Sequence, residues 1–477
     1  MFDSIHEECG VFGIYENKRS DVASSVYFGL YALQHRGQES CGIAVCDDGV
    51  ISHKKADGLV SEVFGKQELE ALGMGNMAVG HVRYSTFGGK NPNNIQPLVI
   101  RHVKGNLALV HNGNLVNAAE LRREFELSGA IFHGTSDTEA ITYAIVSERL
   151  KCGSTEEAVE NAMPKIKGAY SCILMTATKL IAFRDPDGFR PLCIGRTRDG
   201  AYVIASESCA LETVGAVYIR DVRAGEIVVV SDIGIQSIDT HVRKKSNICI
   251  FEYIYFARPD SIIEGVSVHH ARVKAGEILA ESSPVDADIV IGVPDSGLDA
   301  ALGYANKSGI PYGIGFIKNK YIGRSFIQPQ QNQRENAVKI KLNAVRESVC
   351  GKRVVMIDDS IVRGTTSARI IRLLREAGAT EVHVRISSPM FLHSCYFGTD
   401  IDSEENLIAG KYDSVEGIAK AIGADTLAYL PVDKLCKLAD RDDFCKGCFT
   451  GDYPVDVSGA SGKNKFDEKI HKQSEEK

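Results

Sequence analysis

The sequence predicts two mixed domains in series: an α+β domain of layered strands and helices, then an α/β domain with a doubly wound parallel sheet. In the first half, short apolar runs are separated by Gly, Asn and Asp turns, a pattern typical of strands that pair with their neighbours. From about residue 260, apolar runs instead alternate with helical patterns, as in βαβ units. We expect the boundary near residues 240–250, after the polar stretch 241–246.

Size and composition limit the possible classes of protein. The 477 residues and 51.8 kDa suggest two or three domains. With 44% apolar and 25% charged residues, a wholly disordered or collagen-like chain is excluded. The sequence has no apolar run of about 18 residues, and residues 1–8 do not resemble a signal peptide, so we expect a cytoplasmic protein that does not span a membrane. The net charge of −7 disfavours broad binding to nucleic acid or membranes.

In the first half we expect a strand wherever an apolar run lies between turn residues, and a helix at 136–146. The helix begins with Ser-Asp-Thr-Glu, which is typical of a capped N-terminus. The predicted strands are 9–15, 106–110, 171–176, 180–183 and 226–230. Several strands in succession with few helices between them favour layered α+β packing.

In the second half the apolar runs are continuous, which indicates strands buried on both faces of a parallel sheet. These strands are predicted at 287–293, 353–357 and 382–386. A helix is predicted at 367–377, with Gly378 ending it. The polar tail 458–477 is expected to be disordered.

One string in the second half predicts a phosphate site. In residues 354–366 (VVMIDDSIVRGTT) a buried strand ends in Asp358 and Asp359, and Gly364, Thr365 and Thr366 then open a helix. Ligands of open parallel sheets bind beyond the carboxyl ends of the strands, and a helix start favours an anion. Carboxylates before an anion site suit a ligand with hydroxyls or a metal and a phosphate, such as a ribose 5-phosphate. The ordinary alternative is a solvated strand end followed by a plain helix cap.

This string closely resembles the phosphoribosyl-diphosphate motif of the phosphoribosyltransferases. The resemblance implies that Asp358 and Asp359 hold ribose hydroxyls and Mg²⁺, with Ser296 of the loop 292–297 near the metal. It implies that Gly364, Thr365 and Thr366 hold the 5-phosphate. The basic segment 318–346, which contains Lys341, is expected either to close over the polyanion or to be a solvated loop. Lys341 is expected to bind the phosphoribosyl donor.

Cys9 is a candidate nucleophile that on its own is weak evidence, because most early cysteines are ordinary strand residues. If residues 1–8 are removed as a propeptide, Cys9 carries a free α-amino group with an ordinary pKa near 8. That amine is able to act as general base for its own thiol, without a separate histidine.

Five strings in order resemble the glutamine amidotransferase domain of the amino-terminal-nucleophile class. They are 9–14 (CGVFGI), 33–39 (LQHRGQE), 81–89 (HVRYSTFGG), 111–114 (HNGN) and 136–139 (SDTE). The resemblance implies a four-layer αββα domain. Asn112 and the Gly37 N–H are expected to form an oxyanion hole, and Arg83, Gly113 and Asp137 to bind glutamine.

Together the two halves resemble the amidophosphoribosyltransferase family. The resemblance implies glutamine-dependent transfer of ammonia to C1 of phosphoribosyl diphosphate, the first committed step of purine synthesis, with one Mg²⁺ per subunit. It also implies inhibition by purine nucleotides and a homotetramer or dimer. We expect a propeptide at 1–8, a glutaminase domain at 9–245, a phosphoribosyltransferase domain at 246–457 and the tail 458–477.

Four cysteines are candidate ligands of a [4Fe–4S] cluster, one per subunit. Cys445 and Cys448 have the spacing of a chelate. The family resemblance adds Cys249 and Cys395 as the other two ligands of the iron–sulfur, propeptide-containing type. Zinc also accepts four cysteines, so the metal stays open at this point. Cys436 is expected to pack instead of binding.

Two rival functions share part of the pattern. A glutamine-dependent sugar-phosphate aminotransferase would have the same first half but a sugar isomerase second half. A non-enzymatic regulator would bind phosphoribosyl diphosphate as a signal. The phosphoribosyl string argues against the first, and the intact set of Cys9, Arg83, Asn112 and Asp137 argues against the second.

Overall fold

The computed structural model describes residues 9–84, 91–319, 342–399, 401 and 403–460. The expected propeptide 1–8, Lys341 with most of the segment 318–346, and most of the tail 458–477 lie outside these ranges.

The first domain contains two antiparallel sheets. The strands are β1 (Gly10–Ser20), β2 (Ser40–Asp47), β3 (Val50–Asp57), β4 (Gly75–Arg83), β5 (Leu98–His102), β6 (Gly105–Leu115), β7 (Gly168–Met175), β8 (Leu180–Arg184), β9 (Cys193–Thr197), β10 (Tyr202–Ala205), β11 (Ala216–Asp221), β12 (Ile227–Ser231) and β13 (Gly234–Ile238). The seven-stranded sheet has the order β11-β9-β10-β1-β4-β2-β3, and the six-stranded sheet has the order β13-β12-β8-β7-β6-β5.

Helices cover the outer faces of both sheets. They are α1 (Val22–Ala32), α2 (Val60–Val63), α3 (Lys66–Leu72), α4 (Ala118–Leu127), α5 (Asp137–Arg149), α6 (Thr155–Ala162) and α7 (Ser208–Thr213), with 3₁₀ turns at Pro92–Asn94 and Met163–Lys165. One apolar core joins α1, α2, α3 and α7 to the first sheet, a second joins α4, α5 and α6 to the second sheet, and a third lies between the sheets. The order of layers is therefore αββα.

The alternation of side chains explains why β1 is apolar throughout. Val11 and Tyr15 point into the core between the sheets, whereas Phe12 and Ile14 point towards α1. Helix α1 packs closely on this face, since a Cβ at Gly29 would lie 2.3 Å from the Phe12 ring. Both faces of the strand are buried, which explains why its run of apolar residues is continuous.

The second domain begins with β14 (Ile248–Cys249) and a π-helical turn at Glu252–Phe256. Its other strands are β15 (Ile262–Ile263), β16 (Val266–Ser267), β17 (Ile289–Gly292), β18 (Phe316–Lys318), β19 (Leu342–Ala344), β20 (Arg353–Asp358), β21 (Glu381–Ile386), β22 (Thr426–Tyr429) and β23 (Phe444–Cys445). Its helices are α8 (Val268–Ser282), α9 (Gly297–Ser308), α10 (Arg346–Val349), α11 (Thr365–Glu376), α12 (Val415–Ile422) and α13 (Gly447–Thr450), with 3₁₀ turns at Glu404–Asn406, Ile408–Gly410 and Val432–Leu438.

The main sheet of this domain is parallel and doubly wound, as predicted. Its order is β17-β20-β21-β22, and every neighbouring pair is parallel. Helices α8 and α9 pack on one face, and α11 and α12 pack on the other. The small parallel pair β14–β23 joins the start of the domain to its end.

The predicted elements are confirmed, and their ends differ from the predicted ones by at most five residues. The cap of α5 differs in detail from a capping box: Ser136 accepts from the Thr138 N–H, but the Glu139 carboxylate accepts from the N–H groups of His133 and Gly134. Within the described ranges, no helix combines the length and the apolar character that a membrane crossing requires.

Candidate active sites

Cys9 and Arg83 lie side by side at one end of the first sheet. Gly10 pairs with Val82 in the antiparallel ladder, so the preceding residue, Cys9, lies next to Arg83. The Cys9 thiol donates to the carbonyl oxygen of Tyr84 at 3.7 Å. Val11 and Val79 point into the core between the sheets, and alternation places Cys9 and Arg83 on that same face.

Asn112 faces the same space from the second sheet. Ala108 and Val110 on β6 point into the core between the sheets, and Asn112 is the next residue in this alternation. The side chain is only 1% exposed, and its Nδ2 has no hydrogen-bond partner among the residues that the structure describes. Since buried donors are nearly always satisfied, this one is available to a ligand, as an oxyanion-hole role requires.

Two predicted glycines occupy positions where a side chain does not fit. Gly113 has φ of 142°, and a Cβ there would lie 2.2 Å from the carbonyl oxygen of Ala169. A Cβ at Gly37 would lie 2.6 Å from the backbone nitrogen of Arg83. The turn that holds Gly37 therefore runs directly against the end of β4, beside Cys9.

Asp137 begins α5, next to the end of β6. Its carboxylate accepts from the Leu115 N–H at 3.0 Å and lies 3.5 Å from His111 Nδ1. Burial raises the pKa of Asp137, but the charge and hydrogen bond of His111 and the N–H groups of Leu115 and Thr138 outweigh burial, so the net pKa is lowered. A carboxylate that stays ionised suits a ligand ammonium.

A set of hydrogen bonds made by His81 and Gln96, called the clamp below, joins the two sheets beside this site. The sequence did not reveal it. His81 Nε2 donates to the carbonyl oxygen of His111 at 3.0 Å. Gln96 accepts from the His111 N–H at 2.6 Å and donates to the Thr138 hydroxyl at 3.1 Å. Burial lowers the pKa of His81 to about 3, so the clamp stays neutral. His81 is the first residue of the string 81–89, but its role depends on its contact with His111, which is 30 positions away in the sequence.

Asp358 ends β20 at the carboxyl edge of the parallel sheet, and Asp359 follows it directly, as predicted. They are 7% and 8% exposed. The hydroxyls of Ser296 and Ser360 donate to the Asp359 carboxylate, and the Asp359 N–H donates to Asp358 Oδ1 at 3.0 Å. Burial raises the pKa of both carboxyl groups, and the charge of Asp359 raises that of Asp358 further. A cation beside this pair would favour the ionised form, so the residues fit Mg²⁺.

Gly364 opens α11 with φ of 85°, and a Cβ there would lie 2.4 Å from Ile408 Cδ1. Thr365 is exposed and Thr366 is half-buried, in the first turn of this 12-residue helix. The first N–H groups of a helix have no partner within the helix, and its dipole favours an anion.

The loop 292–297 approaches β20 closely. A Cβ at Gly297 would lie 2.5 Å from the carbonyl oxygen of Ile357. Ser296 thereby reaches Asp359, which places the predicted metal and phosphate residues at one edge of the sheet. Lys341 cannot be placed, since it lies outside the described residues.

The four predicted cluster cysteines line a single cavity. Cys249 pairs with Cys445 across β14–β23, and Cys395 and Cys448 complete the sulfur lining beside Phe251. Burial raises the pKa of Cys445 to about 12 and that of Cys448 above its usual range, and the neighbouring thiols contribute to both shifts.

In the parts of the chain that the structure describes, no group of three or more His, Cys, Asp or Glu side chains is arranged to hold a metal ion as it stands. The donor type and the shared cavity fit a cluster, whereas the ligand geometry is not in place. Cys436 is exposed, so the expectation that it packs is wrong. The 3₁₀ turn that contains it buries Leu435 and Leu438 and leaves position 436 outward.

Comparisons with known proteins agree with both halves. A sequence profile for a glutamine amidotransferase domain matches residues 81–213, and one for a phosphoribosyl transferase domain matches residues 267–387. The chain is 48% identical over 465 residues to the amidophosphoribosyltransferase of Methanocaldococcus jannaschii, covering 94% of this chain and 98% of that protein. It is 50% identical over 460 residues to the Bacillus subtilis amidophosphoribosyltransferase, covering 95% of each.

Two solved structures are similar over nearly the whole chain. The glutamine phosphoribosylpyrophosphate amidotransferase from Bacillus subtilis, complexed with ADP and GMP, has a TM-score of 0.88 at 48% identity and covers 95% of this chain and 99% of its own. A structure described as the allosteric regulatory enzyme of purine biosynthesis has a TM-score of 0.89 at 48% identity, with 97% and 99% covered.

Proposed function

Because the chain belongs to the amidophosphoribosyltransferase family, we propose how its own residues divide the family's reaction between two sites. The reaction is the glutamine-dependent amination of phosphoribosyl diphosphate in purine biosynthesis. Ammonia from glutamine replaces diphosphate at C1 of the donor, giving 5-phosphoribosylamine, glutamate and diphosphate.

The first site releases ammonia. The Cys9 thiol attacks the glutamine amide carbon after its proton passes to the α-amine that removal of residues 1–8 exposes. Asn112 Nδ2 and the Gly37 N–H stabilise the oxyanion, and the proton leaves with ammonia. Water then hydrolyses the thioester to glutamate. Arg83 binds the glutamine α-carboxylate, and Asp137 with Gly113 binds the α-ammonium end.

The observation that carries this assignment is the unpartnered, buried Nδ2 of Asn112. The Asn112 side chain faces the space between the two sheets, which Cys9 and Arg83 also face. A structural asparagine in that position would have its donor satisfied.

The second site uses the ammonia. Asp358 and Asp359 hold the ribose hydroxyls and, with Ser296, one Mg²⁺ per subunit. Gly364, Thr365 and Thr366 hold the 5-phosphate, and Lys341 is assigned to the donor by the family resemblance alone. Mg²⁺ held by these residues would supply positive charge that neutralises the departing diphosphate. Exclusion of water from both sites favours ammonia as the nucleophile.

Cys249, Cys395, Cys445 and Cys448 are proposed to bind one [4Fe–4S] cluster per subunit. The support is the shared cavity with four sulfur atoms, together with the family resemblance. Neither half-reaction is a redox step, so a bound cluster would tie β14 to the C-terminal segment. Zinc is the alternative metal for four cysteines. Chemical analysis distinguishes the two, because a cluster contains iron and sulfide and a zinc site contains neither.

We also propose the regulation of the enzyme, its oligomeric state and its cellular location. The similar Bacillus subtilis structure carries ADP and GMP, which supports feedback inhibition by purine nucleotides. A dimer or tetramer is proposed for the assembly. None of the thirteen cysteines, all of which lie within the described residues, forms a disulfide bond, which supports the proposal of a reducing, cytoplasmic setting.

The direct test incubates the protein with glutamine, Mg²⁺ and phosphoribosyl diphosphate and measures glutamate and diphosphate. We expect both products in equal amounts, with glutamate release dependent on the phosphoribosyl donor. Glutamate release without that dependence would favour a sugar-phosphate aminotransferase. Tight donor binding without turnover would favour a regulator. Mass spectrometry of the intact protein tests whether Cys9 is the first residue.

A further inference from the structure

A fully buried arginine holds the backbone of the proposed nucleophile. Arg36 Nε donates to the carbonyl oxygen of Cys9 at 3.1 Å. The thiol, amine and carbonyl of a processed Cys9 all branch from one Cα. Fixing the carbonyl therefore limits the directions in which the thiol and its amine base point.

The same guanidinium is gripped by a carboxylate from the second domain. Arg36 donates to Glu252 Oε2 at 2.9 Å and to Glu252 Oε1 at 2.7 Å, a bidentate arrangement. Its Nη1 also donates to Glu207 Oε1 at 2.7 Å. Neither carboxylate is exposed to solvent, and Glu252 is the first residue of the π-helical turn.

A second buried arginine holds the other end of this turn. Arg272 on α8 donates to the carbonyl oxygens of Tyr253 and Tyr255 at 2.9 Å each, and to that of Ala257 at 2.7 Å. Tyr253 and Ile254 of the turn pack in the same apolar core as Ile357, the residue that precedes Asp358. The segment 252–257 is thus held between the two sites.

Buried ion pairs of this kind are poor sources of stability, because desolvation cancels most of the attraction. Their geometry is well defined, however, and a bidentate pair fixes the plane of the guanidinium. An arginine so fixed is suited to orienting a neighbouring backbone group.

On the basis of the role proposed above for Cys9, we propose that Arg36 and Glu252 are positioning residues for the nucleophile. Glu252 sets the plane of Arg36, Arg36 sets the Cys9 carbonyl, and the thiol and amine are thereby aimed at the glutamine amide. The glutaminase site is complete only when the second domain supplies Glu252, and the segment 252–257 links its alignment to the phosphoribosyl site.

The test is Glu252→Gln, which keeps the shape of the side chain but removes its charge. We expect the glutamine-dependent kcat to fall about 10- to 100-fold, the cost of a small misplacement of a reacting group. The KM for glutamine and the rate with ammonia are expected to stay unchanged. The matched control is Glu226→Gln, which removes an equally buried, arginine-paired carboxylate that contacts Arg220 and Arg223.

A second variant protects the test against a folding defect. Arg36→Lys keeps the positive charge for Glu207 and Glu252 but lacks an Nε donor at the Cys9 carbonyl, and we expect the same selective loss. Equal loss of glutamine- and ammonia-dependent synthesis, or an unchanged kcat in both variants, would overturn the proposal. A wild-type protein without glutamine-dependent synthesis would remove the proposed function itself, so the two failures are distinguishable.

Discussion

At the scale of single residues, the chemistry depends on buried polar groups that a ligand would stabilise. The Nδ2 of Asn112 has no partner among the described residues, and the carboxyl groups of Asp358 and Asp359 lie side by side with raised pKa values. Such groups cost stability unless a ligand completes them. Each therefore marks a place where a substrate or metal is expected.

The first prediction concerns Asn112→Ala. Because Nδ2 has no partner in the described part of the chain, its loss is expected to remove oxyanion stabilisation and lower the glutamine-dependent kcat about 10²- to 10³-fold. Synthesis with ammonia is expected to be unchanged. Steady-state assays with each nitrogen source measure this. Asn117→Ala is the control, since the buried Asn117 side chain donates to the carbonyl oxygen of Lys165 and accepts from the Lys167 N–H. Equal losses in both variants would argue against the oxyanion role.

The second prediction concerns Asp358→Asn. The change is expected to impair synthesis with both glutamine and ammonia, because it acts at the phosphoribosyl site that both routes share. The control is Asp286→Asn, which alters an exposed carboxylate paired with Arg353 at the opposite end of β20. Kinetic constants for the phosphoribosyl donor that match those of wild type would exclude Asp358 from the mechanism.

The residues that carry chemistry were predictable because each stands in a local string with the backbone it needs, as Gly364 does before Thr365. The residues that position them were not. Arg36 and Glu252 are 216 positions apart, and Arg272 reaches the turn through backbone carbonyls that any sequence provides. A sequence records the side chain in such cases but not the contact.

At the scale of elements, the hydrogen bond of the clamp from His81 Nε2 to the carbonyl oxygen of His111 joins β4 to β6, and Gln96 joins β6 to α5. Both strands end at the glutaminase site, so the clamp sets the distance across which Cys9 and Asn112 act. His81 is fully buried and held neutral.

The third prediction is a pH dependence from this clamp. Burial lowers the pKa of His81 from 6.5 to about 3. Below pH 6.5 the imidazole is therefore protonated in the unfolded chain but stays neutral in the folded chain. The stability is fully present above pH 6.5 and is lost as pH falls towards 3. Between about pH 7.5 and about pH 4.5, this group alone lowers the free energy of unfolding by about 3 kcal/mol.

Denaturant unfolding of wild type and His81→Gln at the two pH values measures this contribution. The variant is expected to be less stable at the higher pH and to lose about 3 kcal/mol less on acidification. Parallel losses of stability in the two proteins would show that His81 is not the group responsible.

The elements that the sequence predicted well are those buried on both faces, such as β1 and β20, because a continuous apolar run has few other interpretations. Short strands such as β14 and β23 were not predicted, since two residues are too few to show an alternation of apolar and polar side chains. Yet this pair brings Cys249 beside Cys445, so a short element decides the cysteine cavity.

At the scale of the whole molecule, the two domains meet through buried charge and through the cysteine cavity. Phe189 of the first domain stacks on Phe397 of the second, with ring centroids 4.1 Å apart, beside that cavity. A cluster there would therefore stiffen the domain contact as well as the C-terminal segment.

The fourth prediction concerns Cys448→Ser, prepared without oxygen. We expect loss of bound iron and sulfide, loss of the visible cluster absorption and a lower thermal midpoint. Cys436→Ser is the matched control, because Cys436 is exposed and is not among the residues that line the cavity. Wild-type protein that binds zinc but no sulfide would contradict the iron–sulfur assignment.

The order of the domains followed from the five strings of the first half and the string 354–366 of the second. Their mutual arrangement did not, because it rests on contacts such as Arg36 with Glu252. That arrangement underlies the central claim: one chain releases ammonia at Cys9 and uses it beside Asp358. The most direct measurement is the rate of phosphoribosylamine formation by Cys9→Ser with glutamine and with ammonia. We expect the rate with glutamine to vanish and the rate with ammonia to equal that of wild type. Equal loss of both rates, or retained use of glutamine, would contradict the account.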